Sequence, residues 1–319
     1  MNNIYSRYQK LIGVEHLFDR SGRNAHISGQ EAAELLRLKL LDNKPLMISR
    51  FGSNELNCVL NYYFISRGFF RNVSNIFRGI PYFFKLKEGI LDNLHTVAGF
   101  YPTTEKNIER YCKLTLDDLS CIDVLGSWLN HEQFLYKLMP SNHVRVRLGD
   151  LTPVKYPEAP WTAALKDRKV LVIHPFEATI RSQYEKRKIL FKNKNMLPDF
   201  ELMTLKAVQS VAGNGYDTGF KDWFEALDFM KEKIYGIDFD IAILGCGAYG
   251  MPLAAHIKRL GKMAFHLGGE TQIMFGIKGK RWEEPGYNYK NTLYNEHWVR
   301  PLEIDTPKNV VNVEGGCYW

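Results

Sequence analysis

Residues 240–270 limit the fold more than any other stretch, because D-I-A-I-L-G-C-G-A-Y-G-M-P-L-A-A-H-I-K-R-L-G-K-M-A-F-H-L-G-G-E spells a strand, a glycine turn, a helix and a second strand. Ile241, Ala242, Ile243 and Leu244 are apolar without alternation, as a strand covered on both faces requires. Gly245, Gly247 and Gly250 follow as G-x-G-x-x-G, after a strand and before a helix, the context that gives this spacing meaning. Lacking Cβ atoms, such a turn can take positive φ and admit a phosphate close to its backbone. The helix is expected over 251–260, with Pro252 in its first turn and Gly261 as its stop. Its first amides and positive dipole end would face an anion lying over the turn. Residues 263–267 then read as a strand closing on Gly268, Gly269 and Glu270.

An acid about 20 residues beyond such a turn is where a ribose-binding carboxylate sits in dinucleotide folds. NAD is nevertheless not expected, because a dinucleotide needs a second mononucleotide-binding half and little ordered chain follows Gly250. A nucleotide or nucleotide-sugar suits one half-site better. The alternative is that the glycines only let helix and strand pack closely.

Two more strand ends carry polar residues. P-L-M-I-S-R-F over 45–51 reads as a strand leading into Gly52, with Ser53 and Asn54 as caps and a helix from Glu55. Arg50 could clamp phosphate with its planar fork, and Glu55 could hold a metal, orient a sugar hydroxyl or act as a base. An ion pair between them is the plain alternative. K-V-L-V-I-H over 169–174 is the clearest strand, placing His174 at its carboxyl end before a helix over 178–191 that carries Arg181. Both could donate to a diphosphate as charge builds on it. Further strands are expected over 95–100, 121–125, 144–148 and 200–208, and helices over 104–112 and 223–233. The repeated strand–helix pattern predicts a doubly wound, mostly parallel, Rossmann-like α/β sheet with helices on both faces. Parallel strands share a direction, so the three polar junctions should meet along one rim. The domain expectation is one α/β unit: a helical edge over 1–44, a body over 45–285 and a wrapping tail over 286–319.

Charge and cysteine content narrow the partners. A formal charge of +7 favours an anionic partner, but the Lys and Arg residues are spread along the chain with no nucleic-acid-binding module, so nucleic acid is not expected. Five scattered cysteines without a C-x-x-C pair suggest neither disulfides nor zinc. No signal peptide or membrane span is apparent, which points to the cytoplasm. Aromatic and basic residues interleave over 62–87, a mixture suited either to peripheral membrane contact or to core rings beside a solvated basic face.

Taken together, these segments resemble the GT-D fold glycosyltransferases of bacterial surface-polysaccharide and glycoprotein-glycan synthesis. The likeness spans roughly residues 30 to 285. The family's R-x-G-D-G-E-like motif is matched by Arg50, Phe51, Gly52, Ser53, Asn54 and Glu55; its middle strand and basic helix by residues 169–174 and Arg181; its late strand–turn–helix–strand by 241–270, closing on Gly269 and Glu270. The resemblance implies transfer of a sugar from a nucleotide-sugar donor to a hydroxyl of a capsule, O-antigen or exopolysaccharide precursor, free or lipid-linked. Glu55, Arg50 and His174 would be catalytic, and Gly52, Ser53, Arg181, Gly245, Gly247, Gly250, Gly269 and Glu270 would bind the donor. The family's D-x-E is S-N-E here, so Glu55 is the one carboxylate kept for Mn²⁺ or Mg²⁺. One carboxylate and a hydroxyl form a poor site for either ion. Two routes stay open: Asp123, Asp150 or Glu270 completes a metal site, or Arg50, His174, Arg181 and the turn amides neutralise the leaving diphosphate without metal. A nicotinamide-dependent enzyme acting on a nucleotide-sugar and a non-catalytic nucleotide-binding partner of polysaccharide assembly are the alternatives.

Overall fold

The computed structural model of the chain describes residues 2–14, 20–68, 73–75, 77–80 and 88–319. Helices α1 (Asn2–Leu11) and α2 (Gln30–Leu41) precede β1 (Leu46–Arg50), which is followed by α3 (Ser53–Ile65), α4 (Glu88–Thr96) and α5 (Glu105–Asp118). Next come β2 (Val124–Ser127), β3 (Val144–Arg147), β4 (Lys169–His174), α6 (Glu177–Glu185) and β5 (Glu201–Lys206). The last units are α7 (Trp223–Tyr235), β6 (Ile241–Leu244), α8 (Gly250–Arg259), β7 (Met263–His266) and the short α9 (Glu270–Met274). The strands form one sheet in the order β3-β2-β1-β7-β6-β4-β5, and every pairing is parallel.

Why these runs become strands is visible in where alternate residues go. Met47, Leu125, Leu171, Ile173, Ala242, Leu244 and Ala264 pack into one apolar cluster with α3, α5, α7 and α8. Their neighbours Ile48, Val124, Val170, Val172, Ile241, Ile243 and Phe265 pack into a second cluster on the other face, with α2, Trp161 and α9. Both faces are therefore buried, and the strands need not alternate between apolar and polar residues. The sheet is doubly wound and Rossmann-like, as the strand–helix alternation predicts.

Several local expectations are corrected. Residues 95–100 are not a strand: α4 runs through Thr96, and the Phe100 amide returns to the Leu94 carbonyl at 3.0 Å. The helix expected over 178–191 is interrupted at Lys186, whose amide bonds to the Gln183 carbonyl three residues back; one further turn, Arg187–Leu190, follows. Ser53 and Asn54 are inside α3 rather than capping it, and Gly52 is the capping position. Asp123 lies before β2, on the edge opposite the strands' carboxyl ends, where it accepts from the Met47 amide and pairs with Lys258 at 2.7 Å. In the aromatic and basic stretch over 62–87, residues 69–72, 76 and 81–87 lie outside the described residues, while Phe64 packs edge-on against Phe134. Among the described residues no helix is long and apolar enough to cross a membrane.

The topology also supplies what seemed missing. The second half of the rim does not follow Gly250 in the chain; it is built by β1, β2 and β3, and β1 and β7 lie side by side at the centre.

Candidate functional site

A cavity of about 400 Å³ opens over the carboxyl ends of β1, β7, β6 and β4, where Arg50, Glu55, His174, Gly245, Gly247 and Gly269 all contribute to its wall. Open parallel sheets place ligands at this edge, beside the point where strand order reverses. Gly52 and Ser53 line it too.

Each side chain is held by local structure. Glu55 sits in the first turn of α3 and folds back so that its Oε2 occupies space a Cβ on Gly52 would need, 2.0 Å from that position. A side chain at position 52 would push this carboxylate out of its place. Burial raises the Glu55 pKa above the usual carboxylate range, and its own backbone amide and Arg50 only partly offset this. Arg50 spends Nε and Nη2 on the Phe51 carbonyl at 3.2 and 2.9 Å, and its guanidinium lies 5.6 Å from the centre of the Trp128 ring. The Trp128 indole donates to the same carbonyl at 3.0 Å, so the fork and the ring are fixed together.

His174 is buried at the end of β4, where Nδ1 accepts from the Phe176 amide at 2.9 Å. That contact puts the proton on Nε2. Burial lowers its pKa to about 3, so the ring is neutral between pH 5 and 8. The end of β7 repeats the arrangement with His266, also lowered to about 3, whose Nδ1 lies 3.2 Å from Ser49 Oγ. His266 was not anticipated, although the signal was the same as for His174: an imidazole closing an apolar strand.

The glycine turn divides its labour. Gly247 takes φ +55°, which favours glycine. The Ala248 amide bonds to Ala98 and that of Tyr249 to Cys246. Among the described residues the Cys246 and Gly247 amides have no protein acceptor, which leaves these two for an anion. Gly250 has a packing role: a Cβ there would fall 2.3 Å from His266 Nε2. Gly250→Ala is expected to destabilise the fold by about 1–3 kcal/mol, the usual cost of overpacking. Denaturant unfolding checks this, and unchanged stability would show that His266 moves freely.

Two expected donor-binding residues lie elsewhere. Arg181 is exposed and pairs with Glu177 at 3.1 Å, away from the cavity. Glu270 begins α9 in an adjoining cavity of about 550 Å³, over the carboxyl ends of β1, β2 and β3. There Oε1 accepts from the Trp282 indole at 3.0 Å, and burial raises its pKa. Asp150 is consumed by Gly29, Lys155 and Tyr156 at 2.6–2.7 Å. Among the described residues no three His, Cys, Asp or Glu side chains gather to hold a metal ion. Asp123 is remote, Asp150 engaged, Glu270 across the wall, and Glu314, the other acid on Glu55's cavity, is paired with Arg281, so this donor set does not fit Mn²⁺ or Mg²⁺.

Other parts of the wall were not read from the sequence. Val313, Glu314, Tyr318 and Trp319 reach the cavity from the tail, held by Arg281 to the Tyr318 hydroxyl at 2.9 Å and by Gln272 to the Tyr318 carbonyl at 3.1 Å. Buried Glu132 accepts from Ser127 and from the amides of Trp128 and Leu129, which fixes the loop bearing Trp128. Burial raises its pKa to about 7. No family model matches the chain, and no curated protein or solved structure is significantly similar to it.

Proposed function

We propose that the chain is a glycosyltransferase using a nucleotide-sugar, with the donor seated in the cavity over β1, β7, β6 and β4. The observation that carries this reading is the meeting of a desolvated carboxylate, a fixed guanidinium, a neutral imidazole donor and two turn amides around one cavity. In the transfer, an acceptor hydroxyl oxygen forms a bond to the anomeric carbon as that carbon's bond to the diphosphate oxygen breaks. Glu55 takes the hydroxyl proton. Charge growing on the diphosphate is met by Arg50, by His174 Nε2–H and by the amides of Cys246 and Gly247. Each is positioned before the reaction, so little reorganisation is needed. The nature of the acceptor, a bacterial surface glycan precursor, rests on the resemblance to the GT-D enzymes.

A second reading, a nicotinamide-dependent enzyme acting on a nucleotide-sugar, draws support from the two adjoining cavities along the rim, which a dinucleotide could bridge. Thermal unfolding with UDP, GDP, ADP, CDP, dTDP and NAD(H) separates the two. At a hundredfold excess over Kd, a nucleoside diphosphate is expected to add about 2.7 kcal/mol of stability. A shift with NAD(H) and none with the diphosphates would overturn the transferase reading.

A further inference from the structure

We propose that the cavity over β1, β2 and β3 is a second substrate subsite that takes a phosphate-bearing glycan acceptor and recognises it through the phosphate; this rests on the transferase reading. The cavity is lined by five cationic side chains, Arg20, Arg50, Arg147, Lys155 and Arg281, against the single carboxylate of Glu270. Lys155 and Arg281 are answered by Asp150 and Glu314. Arg20, Arg50 and Arg147 have no ion-pair partner among the described residues, so positive charge is left over where the wall is concave. Guanidinium forks match phosphate oxygens in pairs, which favours phosphate over a diffuse anion.

The rest of the lining suits a sugar. Trp128, Tyr287 and Tyr289 offer ring faces and hydroxyls. Glu270 adds a carboxylate to this wall, its Oε1 held by the Trp282 indole. The two cavities share Arg20, Arg50, Trp128, Gly269, Arg281 and Tyr287 as a common wall. An acceptor anchored by phosphate on one side would therefore present a hydroxyl across Arg50, towards Glu55 and the donor. Separate seats for two anionic substrates also explain why one rim carries so many arginines.

Arg147 is the residue to change, because it is exposed at the end of β3 and lines this cavity but not the other. Titration calorimetry with inorganic pyrophosphate on the whole chain, its donor cavity first saturated with whichever nucleoside diphosphate raises the melting temperature most, should give binding that Arg147→Glu weakens at least tenfold. No binding by the unaltered protein, or equal binding by Arg147→Glu, would overturn the subsite. Glucuronate in place of pyrophosphate tests phosphate against carboxylate, and equal affinities would contradict the phosphate assignment. A phosphorylated sugar and a lipid-diphosphate sugar, each titrated in the same way, distinguish a free from a lipid-linked source. Pyrophosphate binding lost in Arg147→Glu, in a protein that transfers no sugar, would keep the subsite and remove the transferase reading. Transfer to a neutral glycan with KM unchanged in Arg147→Glu would do the reverse.

Discussion

Replacing Glu55 by glutamine is expected to lower kcat/KM for sugar transfer by about 10²–10⁴-fold, the contribution of a positioned general base, while leaving the chain folded. Glutamine keeps the side chain's shape over Gly52 and loses only the ability to take a proton. The accompanying stability change has a definite sign. Because burial raises the folded pKa of Glu55, the folded state holds its proton more tightly than the unfolded chain does. Its contribution to stability is full below the unfolded pKa and is lost as pH rises through the folded value. At neutral pH, Glu55→Gln should therefore melt at or above the temperature of the unaltered protein. The rate should rise with pH through the raised pKa of Glu55, with no inflection from His174, which stays neutral across that range. Single-turnover transfer and thermal unfolding check both halves, and full activity in the variant would remove Glu55 from the reaction.

Arg50→Ala should cost about 10²–10³-fold in kcat, comparable to losing one preorganised donor to a developing anion. Arg50→Lys is expected to recover little. An ammonium cannot hold the Phe51 carbonyl with two donors and also present a third towards the cavity in the same plane. Steady-state kinetics of both variants decide the matter: near-normal kcat in Arg50→Lys would mean that charge alone, without the fork, is enough. Because Arg50 belongs to both cavities, its loss should raise KM for the acceptor as well as lower kcat, whereas Glu55→Gln should act on kcat.

The residues that the chain places on the rim were readable where the strand signal was strong. Apolar runs at 46–50, 169–174, 241–244 and 263–266 became parallel strands, and parallel strands carry Arg50, His174 and the glycine turn to one edge. Less legible were residues whose role depends on a partner remote in sequence. Gly250 looked like part of a phosphate cradle, yet its constraint is the His266 ring. Arg181 had the right residue type near the right strand, but α6 turns it outward to Glu177. Glu270 stood at the right distance from the glycines and came to rest across the wall, tied to Trp282.

The strands at 46–50, 169–174, 241–244 and 263–266, their parallel pairing and the polar edge follow from local rules, since the residues' own apolar spacing and the right-handed connection between parallel strands leave few alternatives. What local pattern could not settle was strand order and the path of the tail. Setting β1 beside β7 joins the first and last strands of the sheet, and bringing Glu314 and Tyr318 to the cavity closes the rim with residues from the chain's end. These are long-range pairings, fixed by which buried faces fit together on both sides of the sheet, and no window of the sequence contains both partners.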